Sequence, residues 1–239
     1  MNIIKRAVLE DFKLVSREPM VAVLFGVPLF VSMFMRFIVP LGTDLLFKYT
    51  GFNLSAYNLY VLASILLMVP TLVGPSAGFL MLDEKDDNVQ VLSLVTPGGI
   101  SGYLTARLLM PAVAGFVYTI LSYLITGFYP ITPDALFICA LLAAAQGILF
   151  SFVLFAFADD KVKGLTFVKG MSLFEVLALA DLMNNHWISA VAACTPLYWT
   201  VKVMEFSGTW RVWLSGLLGL VVNGVWLAVT WRKARKKIY

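Results

Sequence analysis

The sequence predicts an all-α membrane protein with six transmembrane helices. Three observations predict it. Of the 239 residues, 60% are hydrophobic and only 13% charged, where soluble domains carry about 25% charged and 45–50% apolar residues. The apolar residues gather into runs near the spanning length of about 20 residues, separated by short polar stretches. Lys and Arg are shared unevenly between the two sides that these runs define. Fourteen of the 18 fall on the side of both chain ends, only Lys48, Lys202 and Arg211 on the other, and Arg36 sits inside a run. That excess marks the cytoplasmic side, so both termini are expected inside the cell, in its inner membrane. The formal charge of +4 has the same cause and gives no reason to expect a nucleic-acid partner. Residues 1–239 read as one membrane domain.

The elements follow in order. Residues 2–18 put Ile4, Val8, Phe12 and Val15 on one helical stripe, with Lys5, Arg6, Glu10, Lys13 and Arg17 around the remainder. This predicts an amphipathic interfacial helix over residues 1–19, its bases against lipid headgroups. Met20–Leu41 is the first spanning run, and a loop over Gly42–Tyr57 leads to the second, Asn58–Leu82. Leu108–Phe128 and Ala135–Ala158 are the third and fourth, joined by a turn holding Pro130 and Pro133. A polar loop over residues 159–170 precedes the fifth run. Met171–Leu182 is only twelve residues long and carries Glu175 and Asp181. The polar patch Asn184-Asn185-His186 follows, then a second short piece, Trp187–Trp199, with Pro196 inside it. Apolar pieces of about 10–14 residues are more often re-entrant or broken than spanning. A broken, re-entrant segment is therefore expected over residues 183–209, near the outer surface. Trp210–Trp231 is the sixth span and runs into a basic tail.

The longest interruption between spans is Asp83–Arg107. Its opening acids, Asp83, Glu84, Asp86 and Asp87, suit the positive amino-terminal end of a helix. Val89 and Leu92 then recur at helical spacing until Thr96, and Pro97-Gly98-Gly99 stops the helix. Tyr103 and Arg107 begin the return to the membrane. A short cytoplasmic helix lying flat is predicted, with apolar side chains for another protein to grip.

These residues resemble a family. An acid just after the second span, an apolar helix ending in Thr-Pro, and then a Tyr and a base before the third span are similar to the permease subunits of type-two ABC exporters. The amphipathic arm, the six spans, the broken fifth region and the Thr195–Trp199 stretch extend the likeness over the whole chain. Fluoroquinolone-type drug exporters are one branch it resembles. The resemblance implies that two permeases, identical or homologous, pair, each with a cytoplasmic ABC ATPase. The Asp83–Thr96 helix would dock in a groove of that ATPase, with Glu84, Val89, Leu92, Thr96, Pro97 and Tyr103 as the coupling residues. This chain has no G-x-x-x-x-G-K-[ST] phosphate loop. ATP and Mg would therefore belong to the partner, and this chain would hold no cofactor of its own. The implied cargo is hydrophobic or amphipathic, a drug-like molecule or a lipid, because the spans hold no dense charged site. A second reading is a six-span assembly or sensor protein that docks a partner without moving cargo.

Ionisable groups inside a span are costly and mark pathways or structural pairs. Arg36, Glu175, Asp181 and Asn184 are the pathway candidates. Arg36 lies about 24 Å along the first span and Asp181 about 16 Å along the fifth at 1.5 Å per residue, a gap an Arg side chain can bridge. An Arg36–Asp181 pair and a snorkelling Arg36 are the two expectations. For Glu175, Lys169 or a headgroup is the expected partner. Enzyme chemistry finds no support. Gly74-Pro75-Ser76-Ala77-Gly78 matches a nucleophile elbow, but it sits inside an apolar helix, with the single His186 expected at the opposite membrane face. Close helix packing explains those glycines better. Cys139 and Cys194 have no metal spacing and read as two separate thiols, both towards the outer side.

Overall fold

A computed structural model of the protein describes residues 18–51, 53–86, 99–183 and 186–238. Eight α-helices account for most of them, and no strand occurs among the described residues. In chain order they are α1 (Pro19–Thr50), α2 (Asn58–Asp86), α3 (Gly99–Thr126), α4 (Pro133–Phe157), α5 (Lys161–Ala180), α6 (His186–Ala192), α7 (Tyr198–Glu205) and α8 (Arg211–Ile238). Five of them, α1 to α4 and α8, are long and apolar enough to cross a membrane. The predicted fifth span lies in α5, which has 20 residues, but Lys161, Lys163, Lys169 and Glu175 make it too polar to count with the five. The interfacial helix expected over residues 1–19 falls almost wholly outside the described residues.

Two predicted loops are largely helix. Pro19 starts α1 at a position where its missing N–H costs nothing, and the helix runs through Gly42 to Thr50. No strong breaker stands between Thr43 and Thr50, and Gly51, at φ 69°, supplies the left-handed cap that ends it. Its 32 residues extend about 48 Å at 1.5 Å per residue, more than a hydrocarbon core of about 30 Å. Residues 161–170 likewise begin α5. The Asp160 carboxylate caps that helix by accepting the Lys163 N–H at 2.8 Å.

The bundle is built round α2, which is buried along nearly all its length, with α4 beside it and α1, α3 and α5 packed around. Small residues set this contact. A Cβ at Gly74 would lie 2.8 Å from Phe150 Cβ and 2.9 Å from the Gly147 carbonyl oxygen. One at Gly78 would lie 2.8 Å from Leu154 Cβ. Ser151 uses the closeness by donating its hydroxyl to the Gly74 carbonyl at 2.6 Å, across the two helices. The G-x-S-x-G motif is thus packing surface, and its Ser76 hydroxyl is spent on the Val73 carbonyl at 2.7 Å. Phe79, Phe150, Phe152 and Leu154 fill the core around this seam. Outward, α1 and α8 carry exposed Phe30, Phe34, Phe37, Leu217, Val221 and Val225, the surface expected where hydrocarbon is the solvent.

Gly78→Leu forces α2 off α4 and is expected to abolish the monodisperse peak in detergent gel filtration. Ser151→Ala, which loses one interhelical hydrogen bond worth about 0.6–2 kcal/mol, should keep the peak and lower the melting temperature by a few degrees.

Candidate functional site

We call the end of the bundle carrying Lys85, Arg107, Lys161 and Lys233 the basic end. There the chain leaves α2 and returns in α3. Asp83, Glu84 and Asp86 form the last turn of α2 rather than the start of a new helix. Acids at a helix carboxyl end oppose its dipole, and Arg107 and Lys161 answer Glu84 and Asp83. Tyr103 and Arg107, four residues apart on one face of α3, both reach Glu84. The Tyr103 hydroxyl donates to Glu84 Oε2 at 2.6 Å and Arg107 Nε donates to the same oxygen at 2.9 Å. Arg107 Nη2 closes the fork on Oε1. The carboxylate and guanidinium are 12% and 17% exposed, so this bidentate pair is sheltered from the screening that weakens surface bridges. Beside it, Lys161 of α5 meets Asp83 at 2.8 Å and Glu18 at 3.6 Å. The clasp therefore ties the two feet of the segment between α2 and α3. Of the coupling residues named from sequence, Glu84 and Tyr103 come together in it. Val89, Leu92, Thr96 and Pro97 lie outside the described residues. The sequence placed Arg107 in the segment but not in the clasp, although its i, i+4 spacing from Tyr103 was a usable signal.

At the far end the expected Arg36–Asp181 pair does not form. Arg36 donates to the Ile125 carbonyl at 2.6 Å, one of the open carbonyls at the end of α3, where the helix dipole is negative. Asp181, fully buried, pairs with Lys202 of α7 at 2.8 Å and accepts the Ser189 hydroxyl. Lys202 also meets Glu205 at 2.7 Å and stands over the Tyr198 and Phe206 rings. The mismatch has a physical source. Helix α1 packs on α2 and α3, whereas α5 packs on α2 and α7, so Arg36 meets the end of α3 while Asp181 meets Lys202. Glu175 faces the Thr71 hydroxyl of α2, not Lys169. Asn184 lies outside the described residues.

Between α5 and α8 the chain forms two short helices, α6 and α7. Helix α6, a turn and α7 make a hairpin whose tip reaches the middle of α4 and α8. Gln146, about 20 Å along α4 from Pro133 at 1.5 Å per residue, donates to the Pro196 carbonyl at 2.9 Å and to Thr200 Oγ1 at 3.0 Å. The Trp226 indole N–H, about 22 Å along α8 from Arg211 on the same ruler, donates to the Cys194 carbonyl at 2.9 Å. Cys194 is therefore deep, not near the outer surface, and both it and Cys139 are free thiols. Irregular backbone at membrane depth is tolerated only where protein groups satisfy it, and Gln146, Trp199 and Trp226 do so here. Among the described residues no three His, Cys, Asp or Glu side chains gather as a metal site.

Lys202→Ala leaves the Asp181 carboxylate buried and unpaired, at a cost of about 3–5 kcal/mol. It should sharply lower thermal stability in detergent, and adding Asp181→Ala should recover most of the loss.

The profile of the family described as Fluoroquinolones export permease protein Rv2686c-like matches residues 11–231 of this chain. Two relatives from Mycobacterium tuberculosis are similar over the same extent: Fluoroquinolones export permease protein Rv2686c of strain H37Rv and Fluoroquinolones export permease protein MT2760 of strain CDC 1551. Each is 28% identical over 228 residues, covering 92% of this chain and 88% of the relative. No solved structure matches. With five helices able to span a membrane and a family match over nearly its whole length, the chain is a multi-pass membrane protein that belongs to the Fluoroquinolones export permease protein Rv2686c-like family.

Proposed function

We propose that the protein is the permease subunit of an ATP-driven ABC exporter that moves a hydrophobic or amphipathic compound out of the cytoplasm or the inner leaflet. It works as a pair with a second, identical or homologous permease. A separate cytoplasmic ATPase binds ATP and Mg and supplies the force. In this reading α5 with its 3-10 end is the sixth crossing, and the basic end faces the cytoplasm with both termini. The names of the two Mycobacterium tuberculosis relatives point to fluoroquinolones as one cargo.

The observation that carries the proposal is the clasp of Glu84 with Tyr103 and Arg107. A segment gripped by an ATPase transmits force only if its feet do not splay. Here a sheltered bidentate ion pair and a phenol hold both feet together, and one foot is the end of the most buried helix. A push on residues 87–98 would then move α2 and α3 as one body, and α4 with them through the glycine seam. A loop that merely faces water needs no such pairing.

Purification from native membranes in mild detergent, with identification of co-eluting proteins, tests this. An ATP-binding subunit should co-elute with the wild type and be lost with Leu92→Asp, which spoils the gripping face, and be reduced with Glu84→Lys, which places two cations where the clasp stood. If no ATPase accompanies the wild type, the exporter reading gives way to a docking protein that moves nothing.

A further inference from the structure

On the basic side of the hairpin tip, between α4, α5 and α8, lies a cavity of about 300 Å³. Pro196 of the tip lines it on one side. Phe150 and Phe157 of α4, Phe167 and Phe174 of α5 and Trp226 of α8 give it aromatic walls. The rings are already arranged for one another. Phe174 meets Trp226 nearly edge to face with centres 5.6 Å apart, and Phe157 meets Phe167 at 5.9 Å. Its polar side chains are committed elsewhere: the Trp226 N–H to the Cys194 carbonyl, and the Thr230 hydroxyl to the Trp226 carbonyl at 2.8 Å. A ligand would be held here by its shape and its flat faces, because no wall dipole asks for a partner.

Two further features narrow the ligand. Gly170 of α5 is part of the lining, is exposed, and a Cβ placed there would meet no atom within 4 Å. Glycine weakens a helix interior, and no close neighbour requires it at this position, so what it provides is an exposed gap in the α5 wall of the cavity. Towards the basic end, Lys233 Nζ stands 4.8 Å from the centroid of the Phe157 ring, which puts a cation beside the aromatic wall. The volume is at the small end of ligand pockets, which run from about 300 Å³ upward, and suits a compound of two or three fused or linked rings.

We propose that this cavity binds a planar aromatic amphipath bearing an anionic group. The ligand enters past Gly170 from the bilayer, places its rings among Phe167, Phe174 and Trp226, and leaves its anion towards Lys233. As the cargo site of the exporter, the cavity rests on the reading given above; as a binding site it does not. An acyl chain is the competing occupant. It would gain nothing from ring faces or from the cation.

Equilibrium dialysis of norfloxacin, a two-ring aromatic carboxylate, against the purified full chain in lipid nanodiscs tests the assignment. Wild type should bind saturably. Gly170→Phe, which fills the gap, should weaken binding by about tenfold or more, and Phe174→Leu and Lys233→Gln by several-fold. Gly26→Phe, at an exposed glycine of α1 with equal free space, should leave binding unchanged. If Gly170→Phe misfolds, Phe174→Leu decides. Binding that Gly170→Phe or, in that case, Phe174→Leu leaves untouched overturns the proposal. So does an absence of saturable norfloxacin binding to the folded wild type, and brominated acyl chains that quench Trp226 (read as the difference from Trp226→Phe) in the wild type but not in Gly170→Phe would then identify a lipid chain as the occupant. Neither result bears on whether an ATPase co-elutes, and a missing ATPase leaves the dialysis result standing.

Discussion

The close approach of α2 to α4 is the contact from which the other features hang. Lipid tails are as apolar as leucine, so helices in a membrane associate through tight packing and interhelical hydrogen bonds rather than by escaping water. Gly74 and Gly78 bring the backbones near enough for Ser151 to bond across at 2.6 Å. That seam fixes α2 as a buried column, and both ends of the column do something. At the basic end Glu84 draws in α3 through Arg107 and Tyr103. At the far end Tyr60 donates its hydroxyl to the Leu182 carbonyl at 2.6 Å and so holds the end of α5. Helix α2 is therefore tied to its neighbours at both ends of the bundle.

The hairpin of α6 and α7 shows the second constraint, that backbone polar groups inside hydrocarbon must be paired. Its turn at residues 193–197 breaks helical bonding at mid-bundle, and side chains from α4, α7 and α8 take up the exposed carbonyls. The Asp181–Lys202 pair then fixes the hairpin's outer half to α5. A buried ion pair is weak evidence for stability, since its desolvation is costly. What it supplies is position. It sets where the tip ends, and the tip bounds the aromatic cavity.

Much of this was legible in the sequence. Run length and apolarity predicted six spans, of which five helices are long and apolar enough to cross a membrane, and the shortness of Met171–Leu182 and Trp187–Trp199 pointed to a region now seen as α5's end and the short helices α6 and α7. The acids and the Tyr103–Arg107 spacing marked a segment between two spans, although Asp83, Glu84 and Asp86 end α2 and Tyr103 and Arg107 belong to α3. Local signals failed at three places for definable reasons. Hydropathy does not record helix propensity, so residues 43–50 and 161–170, polar yet free of strong breakers, read as loops. Depth counted from the start of an apolar run misplaced Asp181, because α5 begins ten residues earlier, at Lys161. The cavity is assembled from three helices and a hairpin, and no stretch of sequence contains it. The Phe167, Met171 and Phe174 stripe on α5 was its only local trace, and such a stripe more often means core.

In the proposed exporter the Glu84 clasp couples ATP use to movement through α2. The most direct test is ATP-dependent uptake of a fluorescent fluoroquinolone by inside-out vesicles carrying the complex, comparing wild type, Glu84→Arg, and the exchanged pair Glu84→Arg with Arg107→Glu. The account predicts uptake by wild type, loss with Glu84→Arg alone, and recovery in large part when the exchange rebuilds the pair with its charges reversed. Uptake by Glu84→Arg equal to that of wild type would contradict it.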